Sequence, residues 1–446
     1  MEFSEFILAH DGDDVGMLAL QRKRFSDQVE DFDLALTTLE CRQKLRSKVP
    51  EWYAVPALRY PLRLSAEQCS SSETARYKAS VALAAVQSGK SAHFADGARI
   101  ADLTGGLGVD SWAFAQVFDE LLYNEMRPEL AEAVRFNFRT LGMERIQVRN
   151  TELTKGSLAA VLGGFRPDIL FLDPARRAAD GRKVFRLEDC QPDVLQLLPE
   201  LLDAAPLVLL KLSPMADITQ VSRQLGCVRE VHVVAAGGEC KELLLLLEKG
   251  YEGPVRTTIY DSGAVLVVAG DGALFSESSL RDPSHCHPCR LASQLASRPV
   301  CQGAPPSSGA EGGYRFGEQC AIACRDQFLF EPGRALLKAG AFDLPCGYGL
   351  QKLGRHTHLY VGEGIPEELK PFGKCFRILE VVPLDKRNLK LIGQKYPQAE
   401  VTARNIPLAS DQLRARLGVR SGGSIHIFGV HVDHLSDNYL FILDSK

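Results

Sequence analysis

The stretch Arg99-Ile100-Ala101-Asp102-Leu103-Thr104-Gly105-Gly106-Leu107-Gly108-Val109-Asp110 ends a short apolar run in a glycine-rich turn, and a helix pattern with Trp112, Phe114 and Ala115 follows at once. Glycines let the backbone turn sharply and approach a ligand closely, beside a helix N-terminus that favours negative charge. Outward from this turn, residues 98–248 alternate short β-rich runs with amphipathic stretches, the pattern of a doubly wound parallel sheet. Strands are expected at 99–103, 121–124, 146–149, 168–172, 207–212, 231–235 and 242–247. The first five are separated by segments long enough for crossover helices. Between the last two stand only residues 236–241, too few for a crossover, so these two are expected to form an antiparallel hairpin.

The chain has 446 residues, which at roughly 100–200 residues per domain predicts about three domains. Hydrophobic residues are 45% and charged residues 24%, the balance of a globular protein, which excludes fibrous and unfolded classes. The net charge of −4 gives no global positive field, so any nucleic-acid binding must come from a local patch. No apolar run approaches the ~18 residues of a membrane helix; the five leucines from Leu243 to Leu247 are closed by Glu248 and Lys249. The acidic start, with Glu2, Glu5, Asp11, Asp13 and Asp14, does not read as a signal peptide, so a cytoplasmic location with mostly reduced cysteines is expected.

The expected organisation is a helical N-terminal segment (1–95), the Rossmann-like α/β domain (96–250), a variable linking region (251–327), and two small α+β domains (328–373 and 374–446). Helix periodicity marks 31–45 and 73–86, and later 334–339 and 386–395; further strands are expected at 358–361, 376–382, 424–430 and 439–443. The linking region contains a turn-rich stretch at Pro305, Pro306, Ser307, Ser308 and Gly309, which reads as a mobile loop.

Glu125 ends the second strand 23 residues beyond Asp102, where a carboxylate would accept hydrogen bonds from the ribose of a nucleotide-like ligand. NAD and S-adenosylmethionine (SAM) both carry that ribose. SAM is favoured because Asp102 could meet the ammonium of its methionine part, and because the terminal antiparallel hairpin is the topology of class I methyltransferases. Thr104, Gly105, Gly106 and Gly108 complete the expected cofactor loop, and Asn150 and Glu152, after the third strand, could reach the adenine edge. Structural readings compete: Asp102 as a loop anchor, Glu125 as a solvated strand-end acid, and the others as ordinary polar loop residues.

The fourth strand ends in Asp173-Pro174-Ala175-Arg176-Arg177. In open α/β sheets ligands sit at the carboxyl ends of the strands, so this loop should lie beside the cofactor. It is similar to the Asp-Pro-Pro-aromatic loop of methyltransferases acting on amino groups, with Ala175 in place of the second proline and Arg176 in place of the ring. Asp173 would orient an amine, Pro174 is the motif's first proline, and Arg176 or Arg177 could stack on a base or pair with phosphate or carboxylate. Lys211 and Lys241 could also contact phosphate, and Cys240 reads as a structural thiol.

Taken together, the stretches Glu67-Gln68-Cys69-Ser70-Ser71-Ser72-Glu73-Thr74-Ala75-Arg76-Tyr77-Lys78, Asp102 to Asp110, Asp173 to Arg177, and Gly238-Glu239-Cys240-Lys241-Glu242 resemble bacterial class I SAM-dependent methyltransferases that end in ferredoxin-like and THUMP-like domains. The resemblance extends to Phe330-Glu331-Pro332, Lys338 to Phe342, Lys352-Leu353 and Thr402 to Pro407. It implies SAM as cofactor and RNA, such as tRNA or rRNA, as partner. Basic clusters at Arg22, Lys23, Arg24, Arg42, Lys44, Arg46 and Lys48, and at Lys386, Arg387, Lys390, Lys395, Arg404, Arg414, Arg416 and Arg420, could neutralise phosphates. His285, Cys286, His287, Cys289, Cys301, Cys320 and Cys324 match zinc spacings only in part, and no metal site is expected. Two other functions stay open: methylation of a small acidic metabolite, and RNA binding by a relic fold without turnover.

Overall fold

Leu243 to Leu247 are five consecutive leucines with no solvent exposure, so their strand must be covered on both faces. The computed structural model, which describes residues 1–89, 97–175, 187–268, 274–275 and 327–445, places them in β7 (Glu239–Glu248). The earlier strands are β1 (Arg99–Asp102), β2 (Glu120–Asn124), β3 (Gln147–Arg149), β4 (Ile169–Leu172), β5 (Leu207–Leu212) and β6 (Val228–Ala236). In space these seven run β3-β2-β1-β4-β5-β7-β6. β1 pairs parallel with β2 and β4, β2 with β3, and β4 with β5, whereas β7 runs antiparallel to β5. Gly237 and Gly238, both at positive φ (62° and 74°), make the tight turn from β6 into β7. This is the expected Rossmann-like topology, with the order reversing between β1 and β4.

The chain divides into two compact units, one formed by Met1–Ala236 with Lys241–Arg256 and the other by Gly237–Cys240 with Thr257–Lys446. The N-terminal helices belong to the first. Helix Phe32–Lys48 is capped by Asp31, whose carboxylate accepts from the Leu34 N–H at 2.9 Å. Helix Ser72–Gly89 packs on helix Val109–Phe114, which directly follows the glycine turn, and on β5. Two further contacts dock the segment. The Asn137 amide bonds the backbone of Arg59 through both its oxygen and its nitrogen, each at 2.8 Å, and Trp52 meets Trp112 edge-on at 6.4 Å.

Strands β8 (Arg256–Asp261), β9 (Ala264–Val268) and β10 (Leu274–Phe275) follow, with β9 antiparallel to both others. A second sheet holds β11 (Phe328–Pro332), β12 (Gln351–Lys352), β13 (Tyr360–Gly362), β14 (Gly373–Pro383), β15 (Glu400–Arg404), β16 (Ile425–Val432) and β17 (Asp437–Asp444), in the order β12-β13-β11-β14-β17-β16-β15. Period-two alternation builds its two cores. Phe428, Val430, Phe441 and Leu443 pack with Leu329, Phe376 and Ile378 on one face. Ile427, Leu440 and Ile442 pack on the other with Ile392, Leu413 and Leu417 from helices Lys386–Lys395 and Ser410–Leu417. The turn-rich stretch at 305–309 and the cysteines and histidines of 285–324 lie outside the described residues.

Those two helices cross at Gly393, where an added Cβ would stand 1.8 Å from the Leu417 carbonyl oxygen. Backbone cannot yield as a side chain does. Gly393→Ala should therefore force the helices apart at a cost of roughly 1–3 kcal/mol. Hydrogen exchange of the intact chain checks it: amides of 386–395 and 410–417 should exchange faster, and unchanged protection would refute this packing.

Candidate active site

At the carboxyl ends of β1, β2, β4 and β5 a cavity of about 940 Å³ opens within the first unit, inside the range of about 300–1,000 Å³ of small-ligand sites. Asp102, Thr104, Gly105, Gly106, Gly108, Glu125, Glu152, Asp173 and Pro174 all line it. Residues scattered over more than seventy positions of sequence thus meet at one crevice, where the strand order reverses.

Its floor is set by how closely the glycine turn lies on β2. A Cβ on Gly105 would fall 2.0 Å from the Tyr123 ring, so only glycine lets the backbone rest there. The Tyr123 hydroxyl donates to the Gly106 carbonyl at 2.5 Å, and the Gly105 N–H donates to the Asn124 carbonyl at 2.8 Å. Gly108 adopts φ 89°, a conformation open mainly to glycine, just before the helix. At Gly106 an added Cβ would meet nothing nearer than 3.9 Å, so bare backbone borders open space on that side.

Glu125 is nearly buried and accepts from the Gly106 N–H and the Arg127 N–H, each at 3.0 Å. It therefore ties β2 to the glycine turn while its oxygens keep lone pairs for a diol. The Asn150 amide donates to the Glu125 carbonyl at 2.7 Å, which makes Asn150 a support of that acid's backbone, while Glu152 is exposed at the cavity wall. Asp102 is fully buried and accepts from the Ser111 hydroxyl at 2.6 Å and the Thr104 N–H at 3.2 Å. It is thus a loop anchor as well as a cavity wall. Burial pushes its carboxyl up to about 8 despite the Ser111 and Thr104 hydrogen bonds, and Asp110 and Asp173 push the same way. The Thr104 hydroxyl accepts from the Asp173 N–H at 2.6 Å, linking the two loops.

Beyond Pro174, which is buried, Arg176 and Arg177 lie outside the described residues. What spacing did not disclose is a set of buried charges behind Asp173. Lys211 Nζ stands 2.6 Å from Asp173 Oδ2 and 3.7 Å from Glu242 Oε2. Glu242 Oε1 lies 2.5 Å from Nζ of Lys78, a residue with no exposure, and Lys78 also faces Asp110 Oδ1 at 3.3 Å. The Ser70 hydroxyl donates to the other Asp110 oxygen at 2.9 Å. Burial alone would lower the Lys211 pKa, but Asp173 and Glu242 more than offset it and raise it, so Lys211 stays charged. With both acids beside it and 12% exposure, Lys211 is not the free phosphate contact that a strand-end lysine suggested. Lys78 and Glu242 are 164 residues apart. The only sequence signal for them is that each sits in one of the motifs Glu67–Lys78 and Gly238–Glu242. Removing one member of such a buried pair costs roughly 3–5 kcal/mol, because the other is left uncompensated.

Part of the N-terminal basic run is likewise paired within the chain, whereas Lys23, Arg24 and Arg46 are exposed. Arg42 is buried and bonds Asp11 at 2.8 Å, Lys44 pairs with Glu67, Arg22 pairs with Asp33, and Lys48 donates to the Glu67 carbonyl at 2.7 Å. In the second unit, Lys395, Arg404 and Arg414 pair with Glu380, Glu331 and Asp411, while Lys386, Arg387, Lys390, Arg416 and Arg420 are exposed.

Known proteins resemble this chain in fold and in its C-terminal domains. Residues 328–369 match a ferredoxin-like domain family and residues 373–442 a THUMP domain-like family. The crystal structure of a protein of Porphyromonas gingivalis W83, provisionally assigned as a methyltransferase, is similar at 27% identity and a TM-score of 0.72, covering 99% of this chain and 97% of that one. An O-methyltransferase from Bacillus cereus, solved with S-adenosylhomocysteine (SAH), aligns at 10% identity and a TM-score of 0.31 over 53% of this chain and 100% of its own. No curated protein sequence matches the chain. Among the described residues, no helix is long and apolar enough to cross a membrane. The chain thus has the fold of a class I SAM-dependent methyltransferase, with residues 328–369 matching a ferredoxin-like and residues 373–442 a THUMP-like domain.

Proposed function

We propose that this protein methylates RNA in the cytoplasm, at an amino group of a base, with the cofactor held by Asp102, Thr104, Gly105, Gly106, Gly108 and Glu125 and the amine presented to Asp173. The observation that carries the reading is the convergence of the bare-backbone turn, the Glu125 carboxylate and the Asp173-Pro174 loop on one cavity. Its residues suit the cofactor: Gly106 borders open space, and Glu125 is an acceptor-only group fixed by two N–H bonds. SAM supplies a methyl group on a sulfonium whose leaving group departs neutral, so the chain's task is mainly alignment. Asp173, about a third exposed, would accept an N–H of the target amine and hold its lone pair toward the methyl carbon.

The acidic-metabolite alternative would clamp its substrate with Arg176 and Arg177, which lie outside the described residues, and it leaves the accessory segments around the α/β domain without a task. RNA is favoured by the THUMP-like domain and by the exposed cations Lys386, Arg387, Lys390, Arg416 and Arg420. A relic fold would bind RNA without transferring a methyl group to any substrate, which separates it from the enzyme.

Radiolabelled SAM tests the substrate: label should enter total RNA from a strain lacking the gene but not from its parent, and label in protein or small metabolites instead would overturn the RNA assignment. For the ribose contact, Glu125→Ala should weaken SAM binding by calorimetry about tenfold or more, as expected for loss of charged hydrogen bonds; unchanged affinity would refute it. The Asp102 assignment has a pH signature. Below about 8 the free carboxyl is mostly protonated, and an ammonium brought beside it favours the carboxylate. Binding at about pH 7 should therefore release up to about one proton, and affinity should rise with pH until the carboxyl is already ionised. Calorimetry in buffers of different ionisation enthalpy reads this directly, and Asp102→Asn should abolish it; equal release by wild type and variant would rule out the contact.

A further inference from the structure

We propose that Lys78, from the N-terminal helical segment, is a positioning residue for the reaction: it binds one oxygen of Glu242 and thereby leaves Lys211 to hold Asp173 at the cavity. The inference rests on the reading of Asp173 as the acceptor of the target amine. The two oxygens of Glu242 face different ammonium groups, Oε1 toward Lys78 at 2.5 Å and Oε2 toward Lys211 at 3.7 Å. Lys211 Nζ in turn sits much closer to Asp173, at 2.6 Å. The asymmetry has a simple origin. Glu242 is almost completely buried and already compensated by Lys78, so its pull on Lys211 is the weaker of the two and Lys211 leans toward Asp173.

Without the Lys78 charge, Glu242 would be left buried with one cation in reach. Lysine is a compact charge on a flexible stem, so Lys211 would swing to Glu242 and abandon Asp173. Asp173 is the most exposed of the four, and its carboxylate, freed of that partner, would lose the fixed direction that aligning an amine requires. Lys78 itself is fully buried, so its effect on the reaction passes through Glu242 and Lys211. Asp110 and Ser70 complete the arrangement on the far side of Lys78 and hold its ammonium in place.

The test compares crystal structures and SAM-dependent methyl transfer for the full-length Lys78→Met, Lys78→Arg and Lys78→Met/Glu242→Gln chains. In Lys78→Met the Lys211–Asp173 contact should open beyond hydrogen-bond distance, about 3.5 Å, while Lys211 closes on Glu242. The kcat for methyl transfer into RNA should fall about tenfold or more, with KM for SAM changed less than about twofold. Lys78→Arg should keep the contact and the rate. The double variant is decisive, because it also removes the charge that pulls Lys211 away: contact and rate should return, and this variant serves equally if Lys78→Met alone does not fold. A Lys211–Asp173 contact intact in Lys78→Met, or a double variant that lacks the contact, would overturn the proposal in favour of a purely structural Lys78. The distance is read without substrate, so a wild-type chain that labels no RNA would defeat the substrate reading while leaving this one to be judged on the geometry.

Discussion

Gly105 lies so close to the Tyr123 ring that a single added carbon would fall within 2.0 Å of it, and the rest of the site depends on that approach. Because the turn lies flat on β2, the Gly106 N–H reaches Glu125 and the Tyr123 hydroxyl reaches the Gly106 carbonyl. The Thr104 hydroxyl then meets the Asp173 N–H, so the loop after β4 is hung from the loop after β1. One steric fact thus fixes the relative placement of Glu125 and Asp173 around the cavity. Alignment is what methyl transfer from a sulfonium demands most, and a rigid backbone cradle supplies it better than mobile side chains would.

Electrostatics shapes the opposite wall. Lys78, Lys211, Glu242, Asp173 and Asp110 form a nearly dry alternation of charge in which each lysine faces two acids. Such a cluster is weak evidence for added stability, since desolvation consumes much of the attraction. Its effect is directional: it fixes where each carboxylate points. It also makes the N-terminal helices part of the site, because helix Ser72–Gly89 contributes Lys78, and Leu64, Ser65, Glu67 and Ser70 line the cavity.

Much of this was legible in the sequence, and the limits have physical reasons. Strands β1 to β7 were readable because their apolar runs are short and bounded by glycine, proline or charge, and the six-residue gap before Glu242 already required an antiparallel partner. That Asp102, Glu125 and Asp173 would meet at one cavity was readable because the strand ends of an open α/β sheet face a common crevice. The buried charge cluster was not, since pairing Lys78 with Glu242 depends on how a helix packs across the sheet, which no local spacing encodes. The pairing of Arg42 and Lys44 was hidden for the same reason: both look like members of a phosphate patch until Asp11 and Glu67 are brought beside them. β8 was missed because Arg256, Thr257 and Thr258 dilute its apolar alternation, and β9, a five-residue apolar run, was passed over with it inside the linking region.

The most direct measurement is a crystal structure of the protein with bound SAH. The account predicts the adenosyl group in the crevice beside Gly106, with the ribose hydroxyls on Glu125 and the sulfur on the side facing Asp173. SAH bound elsewhere, or lying in the crevice with its ribose turned away from Glu125, would contradict it.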